Sequence, residues 1–216
     1  EALGLDAFKL FKQRKMALFF IFSMFLGVSL QITNGYANPF ISSFAAMPES
    51  QDVYFVDHAN LLISLSQISE TLCILLIPFF LRRYGIKRVM LIAMVAWAFR
   101  FAFFAIGNPS FPAVTWFILS MIVYGVAFDF FNISGSLFVN NETDSSIRSS
   151  AQGLFMIMTN GIGASIGMLI AQAVVNNFTY SQEAGGQFYT VGEWPIVWGI
   201  FAAYALLVAI FFALIF

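Results

Sequence analysis

The chain has 216 residues, 60% of them hydrophobic and only 10% charged, with a net charge of −1. Soluble domains carry roughly 25% charged residues, so the composition is that of a chain embedded in lipid, and its balanced charge leaves no basic footprint for nucleic acid. A single cysteine and a single histidine exclude an internal disulfide and argue against a His/Cys metal centre.

The first 15 residues, EALGLDAFKLFKQRK, carry Leu5, Phe8 and Phe11 at helical spacing and end on basic residues. They read either as a cytoplasmic linker or as a short interfacial helix. Because this is an improbable natural start, without Met or a secretory signal, the expectation is a longer protein whose N-terminal part precedes it. Residues 16–216 then read as one six-helix transmembrane domain. A spanning helix needs about 20 mostly apolar residues, and the stretches 16–44, 56–81, 88–106, 113–139, 148–175 and 194–216 qualify. MPESQD, RRYGIKR, GNPSFP, NNETDSS and NNFTYSQEAGGQFYTVGE punctuate them as loops. In the fifth stretch, Gly163 and Gly167 form a G-x-x-x-G, a signature of close helix packing.

Lys and Arg number ten. Lys9, Lys12, Arg14 and Lys15 precede the first span, Arg82, Arg83, Lys87 and Arg88 lie between the second and third, and Arg148 opens the fifth. With six spans these all fall on one side, which the positive-inside rule makes cytoplasmic, together with both ends of the chain. The opposite loops carry Glu49, Asp52, Asp57, Glu183 and Glu193 and no Lys or Arg.

Three charges remain inside spans: Glu70 in the second, Arg100 in the third and Asp129 in the fourth. Each costs roughly 2.5–3.5 kcal/mol at a bilayer centre on insertion scales, and such residues face a bundle interior or a watery cavity. At 1.5 Å per residue, Glu70 lies about 20 Å from Asp57, and Asp129 about 24 Å from the outer end of its span. All three therefore reach similar depths. Gln31 and Asn34 share one face of the first span, Gln67 and Glu70 one face of the second, and Tyr124, Phe128, Asp129 and Asn132 one face of the fourth. Arg100 reads as a charge partner for Glu70 or Asp129. The sixth span, without a charge, reads as peripheral. The polar stripes suit a neutral polyhydroxylated or heterocyclic solute. Amides pair with a base edge or with sugar hydroxyls, Phe128 or Tyr124 stacks on a planar ring, and a carboxylate accepts hydroxyl bonds or carries a proton. No nucleotide-binding loop, zinc-hydrolase motif or serine-hydrolase motif appears, so neither ATP-driven transport nor intramembrane hydrolysis is supported, and no cofactor is expected.

LQITN (30–34), SQISETL (66–72), RYGIK (83–87), MIVYGVAFDFFNISGSLFV (121–139) and IRSSAQGLFMIMTNG (147–161) resemble the second half of the nucleoside:proton symporters of the major facilitator superfamily. The resemblance implies an all-α membrane protein of two six-helix halves, each a pair of inverted three-helix repeats, with substrate between the halves. This chain is then the C-terminal half, and its partners are nucleosides, protons, the lipid bilayer of the inner membrane and an N-terminal six-helix half. The family's nucleoside-contacting positions fall on Gln31, Asn34, Gln67, Glu70, Tyr124, Phe128 and Asp129, with Glu70 and Asp129 as the proton-coupling pair. Two other readings compete: a permease for a sugar or another polar metabolite, and a non-transporting membrane receptor or scaffold.

Overall fold

The computed structural model describes residues 5–50 and 53–216; the expectations that fall on residues 1–4 and on Asp52 lie outside the described residues. A 3-10 helix, Leu5–Lys12, leads into α1 (Arg14–Ser43). Two single 3-10 turns, Phe44–Ala46 and Pro48–Ser50, and the one-turn α2 (Tyr54–Asp57) connect to α3 (Ala59–Ile106). There follow α4 (Val114–Glu142), α5 (Arg148–Met156), a π-helical stretch Ile157–Gly163, α6 (Ala164–Phe178), a hairpin of β1 (Thr179–Ala184) and β2 (Gln187–Gly192), and α7 (Trp194–Ile215). Lipid offers the backbone no hydrogen bonds, so apolar stretches of this length satisfy their own N–H and C=O groups by coiling. Among the described residues, five helical stretches are long and apolar enough to cross a membrane: Arg14–Ala46, Ala59–Ile106, Val114–Glu142, Arg148–Phe178 and Trp194–Ile215.

The sequence and the structure differ at two of the expected loops. RRYGIKR is not a loop: helix runs up to it and away from it, and the chain departs from helical geometry inside α3 only at Gly85, with φ 76° and ψ 166°. That combination belongs almost solely to glycine, so one residue turns the chain where a longer connection was expected. NNFTYSQEAGGQFYTVGE is not irregular either. Its strands pair in antiparallel register from Thr179 with Gly192 to Ala184 with Gln187. Gly185 and Gly186 close the turn at φ 60° and 78°, the left-handed pair that a two-residue hairpin turn requires.

Aromatic rings dominate the interior. At one end Phe40 meets Phe104, Phe117, Trp194 and Trp198 at centroid distances of 5.7, 5.4, 5.2 and 5.4 Å. At the other, Phe19 packs on Phe138 and Phe155 at 4.8 and 5.2 Å. Tilted and edge-on contacts of this kind add to the burial itself. The helix α7 turns Trp198, Phe201, Ala205 and Phe212 inward and exposes Leu206, Leu207, Ile210 and Leu214.

Between α1 and the π-helical and α6 stretches, glycine sets the spacing. A β-carbon at Gly27 would lie 2.1 Å from the Thr159 carbonyl oxygen, and one at Gly163 would lie 2.4 Å from that of Met24. At Gly167 it would meet Val28 Cα at 2.8 Å. The G-x-x-x-G of the fifth stretch is thus a backbone contact surface, as expected.

Ahead of α1, Ala7 and Leu10 are buried while Phe8 is exposed, and Phe11 packs on Phe20 at 5.3 Å. Lys9 Nζ lies 2.5 Å from Asp6 Oδ1 and holds that carboxyl below its usual range by hydrogen bond and charge. Lys15 Nζ, over the Phe138 ring, meets Glu142 Oε1 at 2.5 Å and so joins the start of α1 to the end of α4. Exposed ion pairs are worth about 0–1 kcal/mol. Glu142→Gln is therefore expected to move the thermal midpoint of the purified protein by no more than about 4 °C; a larger drop would mean that this pair, rather than the aromatic packing beside it, holds the two helices together.

Candidate functional site

The site starts from a close approach of two helices. At Gly125 of α4, a β-carbon would come within 2.6 Å of Ser69 of α3, and Ser69 Oγ donates to the Ile122 carbonyl. Nearby, Ser66 Oγ lies 3.0 Å from Met121 Sδ. These contacts bring the polar face of α3 alongside Tyr124. With α1 across from it, this face encloses a cavity of about 390 Å³. Thr33, Asn34, Ala37 and Asn38 of α1 line it, with Asn60, Ile63, Ser66, Gln67, Glu70 and Arg100 of α3 and Met121 and Tyr124 of α4. Its volume falls within the roughly 300–1,000 Å³ range of small-molecule sites.

Five of the residues singled out in the sequence meet here: Asn34, Gln67, Glu70, Arg100 and Tyr124. Gln31, Phe128 and Asp129 do not line this cavity. Gln31 is half-buried one turn along α1 from Asn34. The Phe128 ring lies parallel to that of Tyr124, at an interplanar angle of 3° and a centroid distance of 5.7 Å. Asp129 is 6% exposed, and its buried Oδ2 has no hydrogen-bond partner among the described residues. A buried acceptor left open is costly, which sets Asp129 apart from an ordinary packing residue.

Arg100 occupies the position that the sequence made hardest to predict. It is 2% exposed, and its guanidinium makes no ion pair within 4.0 Å with Glu70 or Asp129; among the described residues the ion pairs are Lys9–Asp6 and Lys15–Glu142. Instead Nε donates to Thr33 Oγ1 at 3.2 Å and Nη1 to the Ser120 carbonyl at 2.7 Å, while Ser120 Oγ donates back to the Arg100 carbonyl at 3.0 Å. Its Cζ sits 4.4 Å from the Tyr124 ring centroid and 5.1 Å from that of Phe104. Ring faces and neutral oxygens, rather than a contacting carboxylate, hold this cation.

Sequence reasoning missed Thr33, Asn38, Asn60, Ser66 and Met121. Asn38 continues the Asn34 stripe at i+4, and Asn60 stands seven before Gln67, so both were visible in the helical period. Ser42 Oγ donates to Asn38 Oδ1 at 3.2 Å. Thr33, Ser66 and Met121 carry no such signal, because only the packing of α1, α3 and α4 brings them to one wall.

Apolar helices around an amide-rich cavity that holds a carboxylate and a buried cation define a solute-handling membrane protein. The chain belongs to the nucleoside H+ symporter family, whose profile matches residues 1–216. It is 53% identical over 210 residues to the xanthosine permease of Escherichia coli strain K12, covering 97% of this chain and 48% of that protein. It is 52% identical over 214 residues to the nucleoside permease NupG of the same organism, covering 99% and 49%. A crystal structure of an aspartate-to-alanine mutant of the nucleoside transporter NupG matches with a TM-score of 0.90 at 52% identity, over 99% of this chain and 51% of that one. A second NupG crystal structure matches with a TM-score of 0.87. These relatives are permeases, not enzymes, and the chain spans about half of their length.

Proposed function

We propose that this chain is the C-terminal half of a proton-coupled nucleoside transporter of the bacterial inner membrane, supplying one wall of its substrate cavity. The observation that carries the reading is the cavity itself: Asn34 and Gln67 amides, the Glu70 carboxylate and the Tyr124 ring around about 390 Å³. Amides and a carboxylate match ribose hydroxyls and base edges, and an aromatic face matches a planar ring. Gln31 and Phe128 extend this wall, with Phe128 as the stacking ring. Glu70 and Asp129 form the proton-coupling pair.

The architecture of the proposal has six spans. Helix α3, at 48 residues, is about 72 Å long at 1.5 Å per residue, more than twice the roughly 30 Å of a hydrocarbon core. The turn at Gly85 divides it into an outer-to-inner and an inner-to-outer span. The six spans then form two inverted three-helix repeats, with both ends and Gly85 on the cytoplasmic side, and Leu5–Lys12 at the membrane surface. Leu72, Leu75, Leu76 and Phe79, all exposed on α3, offer an apolar surface to the other six-helix half, and substrate binds between the halves.

Uptake of labelled uridine by vesicles carrying the complete transporter tests the reading. Excess unlabelled nucleosides are expected to reduce it at least about tenfold, and equal concentrations of free sugars to leave it unchanged. Inhibition by sugars alone would move the substrate to the sugar class. Saturable binding without any uptake would instead support a receptor or scaffold.

A further inference from the structure

We propose that Arg100 contacts the substrate directly, its free Nη2 arm donating to a carbonyl oxygen of the bound nucleobase. The inference rests on the nucleoside reading above and adds to it the group that reads the base.

A guanidinium has five N–H donors and no acceptor. In Arg100, Nε is used by Thr33 Oγ1, and Nη1 by the Ser120 carbonyl at 2.7 Å and by Met121 Sδ at 3.9 Å. No acceptor among the described residues takes Nη2. Among the described residues, the fully buried side-chain nitrogens and oxygens that lack partners are Trp97 Nε1, Trp198 Nε1 and Asp129 Oδ2. Nη2 is thus the one arm of the guanidinium left without a partner among the described residues, and Arg100 lines the cavity. The rest of the group is held over the Tyr124 and Phe104 rings and by its bonds to Thr33 and Ser120, so the free arm is ordered at little further cost in side-chain freedom.

The chemistry of the donor selects its partner. A ribose hydroxyl is both donor and acceptor, and is matched by Asn34, Gln67 and Glu70, which can accept. A group that only donates is matched by one that only accepts, which on the base of uridine is a ring carbonyl. The flat guanidinium also lies on the Tyr124 ring, to which Phe128 is parallel.

The test is equilibrium binding to the purified full-length transporter, using uridine, two analogues that each lack one ring carbonyl, and 2′-deoxyuridine. In the unaltered protein, loss of the contacted carbonyl is expected to weaken binding about tenfold. In Arg100→Met the same loss is expected to cost less than twofold, while loss of the 2′-hydroxyl costs the same in both proteins. Equal cost of carbonyl loss in the two proteins overturns the proposal. So does a cost below twofold for both carbonyls in the unaltered protein, a result that needs no folded variant. If no nucleoside binds the unaltered protein at all, the nucleoside reading itself fails, and this proposal with it.

Discussion

Glu70→Gln is expected to abolish proton-driven accumulation of nucleoside while preserving exchange of nucleoside across the membrane. Among the described residues, Glu70 is the one carboxylate that lines the cavity, and no hydrogen bond to them ties it down. The amide keeps the shape and the hydrogen-bonding reach of the carboxyl group but cannot take up or release a proton. A proton crossing a gradient of one pH unit supplies about 1.4 kcal/mol, a tenfold accumulation ratio. Vesicles with the unaltered transporter should therefore concentrate uridine about tenfold for each coupled proton, and those with Glu70→Gln should stop at equal concentrations. The measurement is the internal-to-external ratio of labelled uridine under an imposed gradient, beside counterflow at equal pH. Asp129→Asn is the necessary companion, because its buried Oδ2 lacks a partner among the described residues and it is the other carboxylate of the proposed coupling pair. Full accumulation in both variants would remove the two carboxylates from coupling altogether.

The second large effect concerns folding. Gly163→Leu is expected to prevent α1 from seating against the Ile157–Gly163 and α6 stretches. The first carbon of the new side chain would lie 2.4 Å from the Met24 carbonyl oxygen and 3.2 Å from Gly27 Cα. Both obstacles are backbone, which cannot move aside as a flexible side chain can. Overpacking of a tight interior costs about 1–3 kcal/mol and occasionally more; here the upper end is expected, and the thermal midpoint of the purified protein should fall by about 5–10 °C. Gly161→Ala is the control. Its β-carbon would meet only Ile157 Cγ2, at 3.7 Å, and should leave the midpoint nearly unchanged. Similar losses in the two variants would point to helix propensity at this stretch rather than to the close approach of α1.

Most of the helices were legible because lipid makes hydrophobicity and helix length nearly synonymous. Arg14–Ser43, Val114–Glu142 and Trp194–Ile215 fall within three residues of the boundaries read from composition alone. The connections were less legible. RRYGIKR has the charges of a loop, yet its turn is carried by Gly85. The Gly185–Gly186 pair between alternating segments was a readable hairpin signal, obscured by the polarity of its surroundings.

The candidate site divides along the same line. By its residue types and helical periods, the sequence alone determined a membrane-embedded helical chain with polar stripes around Asn34, Gln67, Glu70 and Tyr124, since side chains three and four apart share a helix face whatever the fold. Only the tertiary structure decided which stripes meet. The Ser69–Gly125 approach sets α3 against α4, Thr33 and Ser120 turn Arg100 toward the cavity rather than onto a carboxylate, and Asp129 is left in a separate buried place. The reason is physical: a helix face is a local property of spacing, whereas the partner that a buried charge finds depends on helix rotation and on how closely backbones approach, and those are settled by contacts among residues far apart in the chain.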